Sequence, residues 1–326
     1  MSTSVVTNYS ALPTMYRRVR AYFAPVNRVQ QVPSTFDPSQ MGQFSLDSPP
    51  EPWIDLGWTE NFARKSTGSI SALNVGVPSV AQYQVREATG ATVSFRFKVW
   101  NKLTMALSAG SQHMNLIQPA SGSAANGSGA KGVAAVSVQA GSSATNIALN
   151  TTDIGPFSAG CLVTVDVDYA GQAGFVGSGV SAAYVRNSVA INNDPDYIRR
   201  VSFNVARVAQ VTSGGLQLAQ PLLAGTPLSG MKVQPIVGFV DREGGTFFQE
   251  WSAVFVLPGE QGERVIFHYP RLQAMQGSEE SADAVAAPLE RAALNANFRA
   301  LPVTDSNDGE LTVCFRSFIP GSATLI

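Results

Sequence analysis

The sequence predicts a mainly β fold with one short flanking helix and a small barrel-like β-unit inserted into it. Three observations carry this reading. TVSFRFKVW (92–100) and the valine-rich half of FSAGCLVTVDVDY (157–169) alternate apolar with polar residues, the period of a strand with one face on a core. Turn-forming clusters such as TSGG (212–215) and DSNDGE (305–310) separate such runs. One clear stretch, VWNKLTMALSAG, carries helical spacing.

Residues 1–50 read as an extended N-terminal arm, because Pro13, Pro25, Pro33, Pro38, Pro49 and Pro50 interrupt any long helix. Within it, TMYRRVRAYF (14–23) has the makings of a short helix or strand. Arg17, Arg18, Arg20 and Arg28 make this the most basic part of the chain, suited either to solvent or to contact with a neighbouring subunit.

From residue 51 the pattern turns to strands. QYQVRE (82–87) alternates, and in the next run Val93, Phe95, Phe97 and Val99 point one way while Ser94, Arg96 and Lys98 point the other. Trp100, Leu103 and Leu107 then share a helical stripe, and Gly110 stands where a helix stops. Residues 119–147 are Gly/Ser/Ala-rich and read as a loop or linker, with VAAVSVQ as a thin strand inside it.

Residues 148–228 read as the inserted β-unit. Val163, Val165 and Val167 alternate with Thr164, Asp166 and Asp168, and YIRRVSFNVARVAQV (197–211) is a second long strand. The discontinuous main β-domain is then 51–147 with 229–326. KVQPIVGFVD, TFFQEWSAVFVLPG, ERVIFHYP, LNANFRAL and LTVCFRSF are the strands expected to resume its sheet. Residues 276–290, acidic and Ser/Ala-rich, read as a mobile loop.

Composition narrows the function. Of 326 residues, 44% are hydrophobic, so a sizeable core is within reach. Only 14% are charged, against roughly 25% in an average globular protein. A surface so poor in charge is best accounted for by burial against neighbours. The net charge of −1 lacks the basic excess of a protein that grips nucleic acid. No run approaches the ~18 apolar residues of a membrane helix, and the N-terminus lacks a signal-peptide pattern, so a cytoplasmic origin and no membrane partner are expected. Cys161 and Cys314 fit two buried apolar thiols better than a disulfide framework.

Chemistry is hard to find. His113 and His268 are the two histidines, and no G-x-S-x-G elbow accompanies them. Carboxylates cluster in DVDY (166–169), NNDPD (192–196) and DSNDGE, but the last two read as turn chemistry. GSGAKG (127–132) lacks the spacing of a phosphate loop. The chain is expected to be no enzyme, with no catalytic residue, no cofactor and no metal site. The tryptophans read as core or interface anchors.

PPEPWIDLGWTENFARK, ATVSFRFKVWNKLTMALSAGSQHMN, FQEWSAVFVLPGEQGERVIFHYPRLQAM and NANFRALPV with NDGELTVCFRSF together resemble a bacteriophage major tail tube protein, in their order of elements more than in any one motif. The resemblance spans about 50–118 and 232–320. It implies a tail-tube-type β-sandwich or open barrel that self-assembles into homo-oligomeric rings, sixfold as a rule, stacked as the viral tail tube. Tape-measure protein and DNA pass through the lumen during DNA ejection. Tail terminator and baseplate or tip proteins cap the ends. The site of action is then the virion tail, after assembly in the host cytoplasm. On this reading Trp53, Trp58, Phe95, Phe97, Trp100 and Trp251 serve core and ring packing, Arg17, Arg18, Arg20 and Arg28 serve inter-subunit arm contacts, and 148–228 sits on the tube exterior. The alternatives are another tail or baseplate component (a hub, terminator or decoration protein), or a β-sandwich that binds or hydrolyses carbohydrate.

Overall fold

The computed structural model describes residues 18–26, 32–39, 45, 49–121, 132–166, 202–243, 249–260, 262–275, 280–281 and 293–321. Arg17, Arg28, NNDPD (192–196), the 127–131 glycines and most of 276–290 lie outside the described residues.

The strands are, in chain order, β1 Val19–Pro25, β2 Ile54–Val75, β3 Val80–Phe97, β4 Gln112–Ile117, β5 Val136–Ser137, β6 Asn146–Ala148, β7 Leu162–Asp166, β8 Val205–Thr212 and β9 Gly215–Leu218. They continue with β10 Lys232–Arg242, β11 Glu250–Pro258, β12 Arg264–Ala274, β13 Glu280–Ser281, β14 Ala293–Ala300, β15 Val303–Thr304, β16 Leu311–Thr312 and β17 Phe315–Ile319. The α-helix among the described residues is α1, Lys102–Ala109. The protein is mainly β, as its alternating runs predict.

Six strands form a closed antiparallel ring: β14–β3–β2–β1–β11–β12, with β12 returning to β14. Its inside is filled, not hollow. Phe23 lies at the centre, with Phe298 5.4 Å, Phe255 5.8 Å, Trp251 5.9 Å and Phe95 6.1 Å from it, ring centre to ring centre. Such offset and edge contacts suit the aromatic quadrupole. A small barrel with large alternating inward residues has no room for a ligand.

β1 corrects the reading of residues 1–50 as one arm. Val19, Ala21 and Phe23 face the barrel interior. Tyr22 and Ala24 lie under a second cluster on its outside with Trp53, Val254, Val256 and Ile266. Both faces are apolar because both are covered, so β1 is a central strand. Residues 32–39 then cross that outer face: Ser34 N–H donates to Ser252 Oγ at 2.8 Å, and His268 Nε2 lies 3.3 Å from the Ser34 carbonyl.

α1 starts at Lys102, two residues after the Trp100 with which its stripe begins. Asn101 is the N-cap, its side chain accepting from Thr104 N–H at 2.9 Å while Thr104 Oγ1 accepts from Asn101 N–H at 2.9 Å. That capping box leaves Trp100 outside the helix and 48% exposed, while Leu103 and Leu107 pack on the barrel core. Val99 is exposed for the same reason: β3 has ended at Phe97.

The second sheet runs β4–β10–β7–β8–β9–β6, with β5 also on β10. It draws on strands either side of 148–228. β10 belongs here and not to the larger sheet that it was expected to resume; it pairs with β7 from Lys232 to Ile236 and with β4 from Ile236 to Arg242. Of the long strand expected over 197–211, residues 197–201 lie outside the described residues, and among the described ones β8 begins at Val205. The core of this half-barrel is aliphatic, with Val163, Val165, Val208, Leu216 and Val233 buried. At its tightest turn Gly215 has φ +143, and a Cβ there would meet the Ile147 carbonyl oxygen at 1.9 Å. Gly215→Ala is therefore expected to cost about 2–4 kcal/mol. Denaturant unfolding checks this, and a loss under ~1 kcal/mol contradicts it.

The turn reading of 305–310 agrees with the structure: β15 and β16 pair across it, and Asp305 Oδ1 accepts from Asn307 N–H at 2.9 Å. Cys161 and Cys314 are free and half-buried, short of the full burial expected.

Candidate assembly interface

β2 and β3 are far longer than the barrel they help to build. β1 covers the outer edge of β2 only from Ile54 to Thr59, and β14 covers β3 only from Ala91 to Phe97. Beyond those limits the pair continues as a two-stranded ribbon, from Thr67 opposite Gly90 to Val75 opposite Val80. Its paired length is about 30 Å at the usual strand rise. Among the described residues no strand lies along either of its edges.

Bulges re-aim β2 as it leaves the barrel. The first lies beside Gly57, which has φ +79 and whose N–H donates to Asp55 Oδ1 at 2.8 Å. The second falls between Glu60 and Ala63, where Asn61 takes a left-handed φ of 52°. Phe62 is thereby turned against Phe255 and Phe267, 4.9 and 5.8 Å away. Arg64 lies over Phe267 and its Nε donates to Tyr269 Oη at 3.0 Å. The ribbon base is thus firmly held, and its outer part touches little of the barrel.

The outer part is also apolar on one side. Leu73 stands opposite Tyr83, Val75 opposite Val80, and Val85 two residues from Tyr83, so these five share a face. All are exposed, Leu73 at 54% and Tyr83 at 61%. From Ser66 to Val85 no residue is charged. Natural edge strands are normally guarded by charge, proline or cover, and a lone two-stranded ribbon is marginal in water. An unguarded apolar ribbon of this length is built to be covered.

A second constellation is polar and enclosed. Lys102 Nζ donates to Asn115 Oδ1 at 2.7 Å, and Asn115 Nδ2 donates to Thr164 Oγ1 at 3.0 Å and Asn204 Oδ1 at 3.2 Å. Asn204 in turn donates to Asp166 Oδ2 at 3.4 Å, and His113 Nε2 lies 2.8 Å from Ser202 Oγ. Burial pushes Lys102 down to about 7 against the pull of Asp166, and burial with the Lys102 charge pushes His113 down to about 3. An amine at 7 has the acidity of a nucleophile. Yet Lys102, His113, Asn115, Thr164, Asp166 and Asn204 are all buried, joining α1 to β4, β7 and the start of β8. The network serves as a polar staple between barrel and half-barrel. Among the described residues no group of three or more His, Cys, Asp or Glu side chains is placed to hold a metal.

The residues singled out from the sequence scatter. Phe95, Phe97 and Trp251 are in the barrel core, and Trp53 is in the outer cluster. Trp58 is 39% exposed, lying over the Arg20 guanidinium at 5.8 Å. Arg20 is not free for a neighbour: its Nη2 donates to Asp55 Oδ2 at 2.5 Å and its Nε to Oδ1 at 3.3 Å. Arg18 is exposed. In the sequence the ribbon is legible only as the alternating run QYQVRE (82–87). The signal that would have found it is the twenty-residue stretch 66–85 without a charge.

No protein-family model matches the chain, and no curated protein matches it.

Proposed function

We propose that this protein is a non-enzymatic structural subunit that assembles with copies of itself into stacked rings forming a phage-type tail tube, a conduit for DNA and the tape-measure protein. The observation that carries the reading is the projecting ribbon, uncharged from Ser66 to Val85 and with Leu73, Val75, Val80, Tyr83 and Val85 exposed on one face. Obligate assemblies cover such surfaces, burying on the order of 2,000 Å² or more per contact. The filled barrel supports a building block over a binding cup. The low charge and net −1 suit a conduit that DNA slides past, because each phosphate contact would add affinity. Terminator and baseplate proteins would then meet the end rings, and the working place would be the virion.

The test is excision of the ribbon, with 68–89 replaced by an Asn-Gly turn that rejoins Thr67 to Gly90. The full chain is expected to form rings or tubes in negative-stain images and to grow in light-scattering mass with concentration. The excised chain is expected to stay monomeric with its cooperative unfolding intact. A full chain that remains monomeric at every concentration, or an excised chain that assembles equally well, overturns the proposal.

A further inference from the structure

The register of the barrel strands exposes an acceptor for that ribbon. β11 occupies one edge of β12 from Glu250 to Pro258. The other edge is divided: Leu272 to Ala274 pair with β14, and Arg264 to His268 pair with β17. β17 therefore continues the column of β14 toward one end of the barrel. On the far side of that column β3 pairs with β14 as far as Ala91 and then runs on as the ribbon. Ala300 lies opposite both Leu272 and Ala91, so falling numbers on β12 and on β3 run toward the same end. β17 and the ribbon leave the barrel side by side at this end, and no pairing joins them among the described residues. The barrel is closed at one end and split at the other.

Among the described residues the split leaves β17 with one bonded edge, against β12, and one open edge. It displays apolar side chains in the open: Phe315 is 38% exposed and Phe318 41%, with Leu311 at 66% just before them. An open edge asks for a strand, since its remaining N–H and C=O groups are met in full only by another backbone. The chain's own ribbon makes no pairing with it among the described residues.

We infer that the open edge of β17 takes the ribbon of a second copy of this chain, which adds a strand beside Phe315–Ile319 and brings Leu73, Val75, Val80 and Tyr83 alongside Phe315, with Phe318 on the opposite face of β17. The inference rests on the self-assembly proposed above. Three features favour a second copy over a foreign peptide. Donor and acceptor are on one polypeptide, so every subunit brings both. The ribbon brings no charge between Ser66 and Val85 that would oppose burial beside Arg316. A ribbon about 30 Å long and 10 Å wide offers on the order of 300 Å² per face, so one covered face and a paired edge supply about half of the ~800 Å² per partner of a stable contact, the rest falling to the surfaces around β17. Donor and acceptor are different surfaces, so the contact is head-to-tail and propagates into a ring or filament where a two-fold contact would stop at a dimer.

The test uses full chains carrying Cys161→Ala and Cys314→Ala. One population carries Ala72→Cys or Gln84→Cys in the ribbon, the other Arg316→Cys on β17. Mixing under mild oxidant is expected to give a disulfide between the two populations, located by peptide mass mapping, and to give none when 68–89 is excised. Leu73→Glu with Tyr83→Glu, which leaves the core untouched, is expected to raise the concentration for half-assembly about 100-fold or more. Assembly that persists with ribbon-to-ribbon disulfides, or with none to residue 316, overturns this pairing and leaves self-assembly standing. Folded chains that never associate overturn both.

Discussion

Phe298→Ala is expected to cost about 3–5 kcal/mol of folding stability, the largest effect of any single side chain in the barrel. Phe298 is fully buried and stacks on Phe95, with 5.7 Å between ring centres and 9° between planes. It also lies 5.4 Å from Phe23, the hub of the interior. Its strand, β14, is the one that closes the ring, with Phe298 opposite Val93 on one side and Ala274 on the other. Surrounding rings are held by strands on all sides, so the void collapses little, and the cavity adds to the lost transfer energy. The matched control is Phe318→Ala, on a ring 41% exposed, where the loss should stay under about 1 kcal/mol. Guanidinium unfolding of both variants measures the contrast. Equal losses would mean that the interior is not the closed aromatic core described.

Stability is expected to rise with pH from about 4 to about 9. Lys102 ionises near 7 in the folded protein against 10.5 ordinarily, chiefly because burial disfavours its charge. Between those values the unfolded chain holds a proton that the folded one has released, so raising the pH favours folding, by about 2 kcal/mol between pH 7 and 9. On the acid side His113 and His268 are held down to about 3 and about 4, both mainly by burial, with the Ser34 carbonyl opposing at His268. Below 6.5 the unfolded histidines take up protons that the folded ones refuse, which removes on the order of 2 kcal/mol each by pH 5. Tyr269, pushed up to about 12 by burial, acts in the opposite sense: above pH 10 the unfolded phenol ionises first and stability falls again. Lys102→Met should flatten the rise between pH 7 and 9 and leave the acid limb in place. Unfolding curves at pH 5, 7 and 9 decide it, and an unchanged slope in the variant would show that Lys102 is not the source.

How much of this was legible beforehand differs by element. The alternation of Val93, Phe95 and Phe97 gave β3 its face, because a period of two needs only local geometry. β1 is legible only as a short helix or strand over 14–23 within an arm, because a strand covered on both sides has no alternation to read and it sits among prolines and arginines. The sheet of β10 is not legible: KVQPIVGFVD reads as a strand under any partner, and its partners β4 and β7 lie more than sixty residues away. Trp100 failed as a helix residue because Asn101 and Thr104 outcompete the apolar stripe in setting where the helix begins. The candidate interface was least legible. Leu73, Val75, Tyr83 and Val85 are ordinary strand residues in sequence, and only the early ends of β1 and β14 leave them uncovered.

The sequence by itself determined the mainly β class, the helix with Leu103 and Leu107 inward, the turn at 305–310 and the low charge that points to a covered surface. Each follows from side chains and their near neighbours, which act within one or two turns of chain. The tertiary structure alone decided that six strands close into a filled barrel, that Arg20 spends its charge on Asp55, that Lys102 is buried in a polar staple, and that β2 and β3 outrun their neighbours. Those outcomes depend on which distant strands stop first, and strand pairing across a hundred residues is settled by the packing of the whole core.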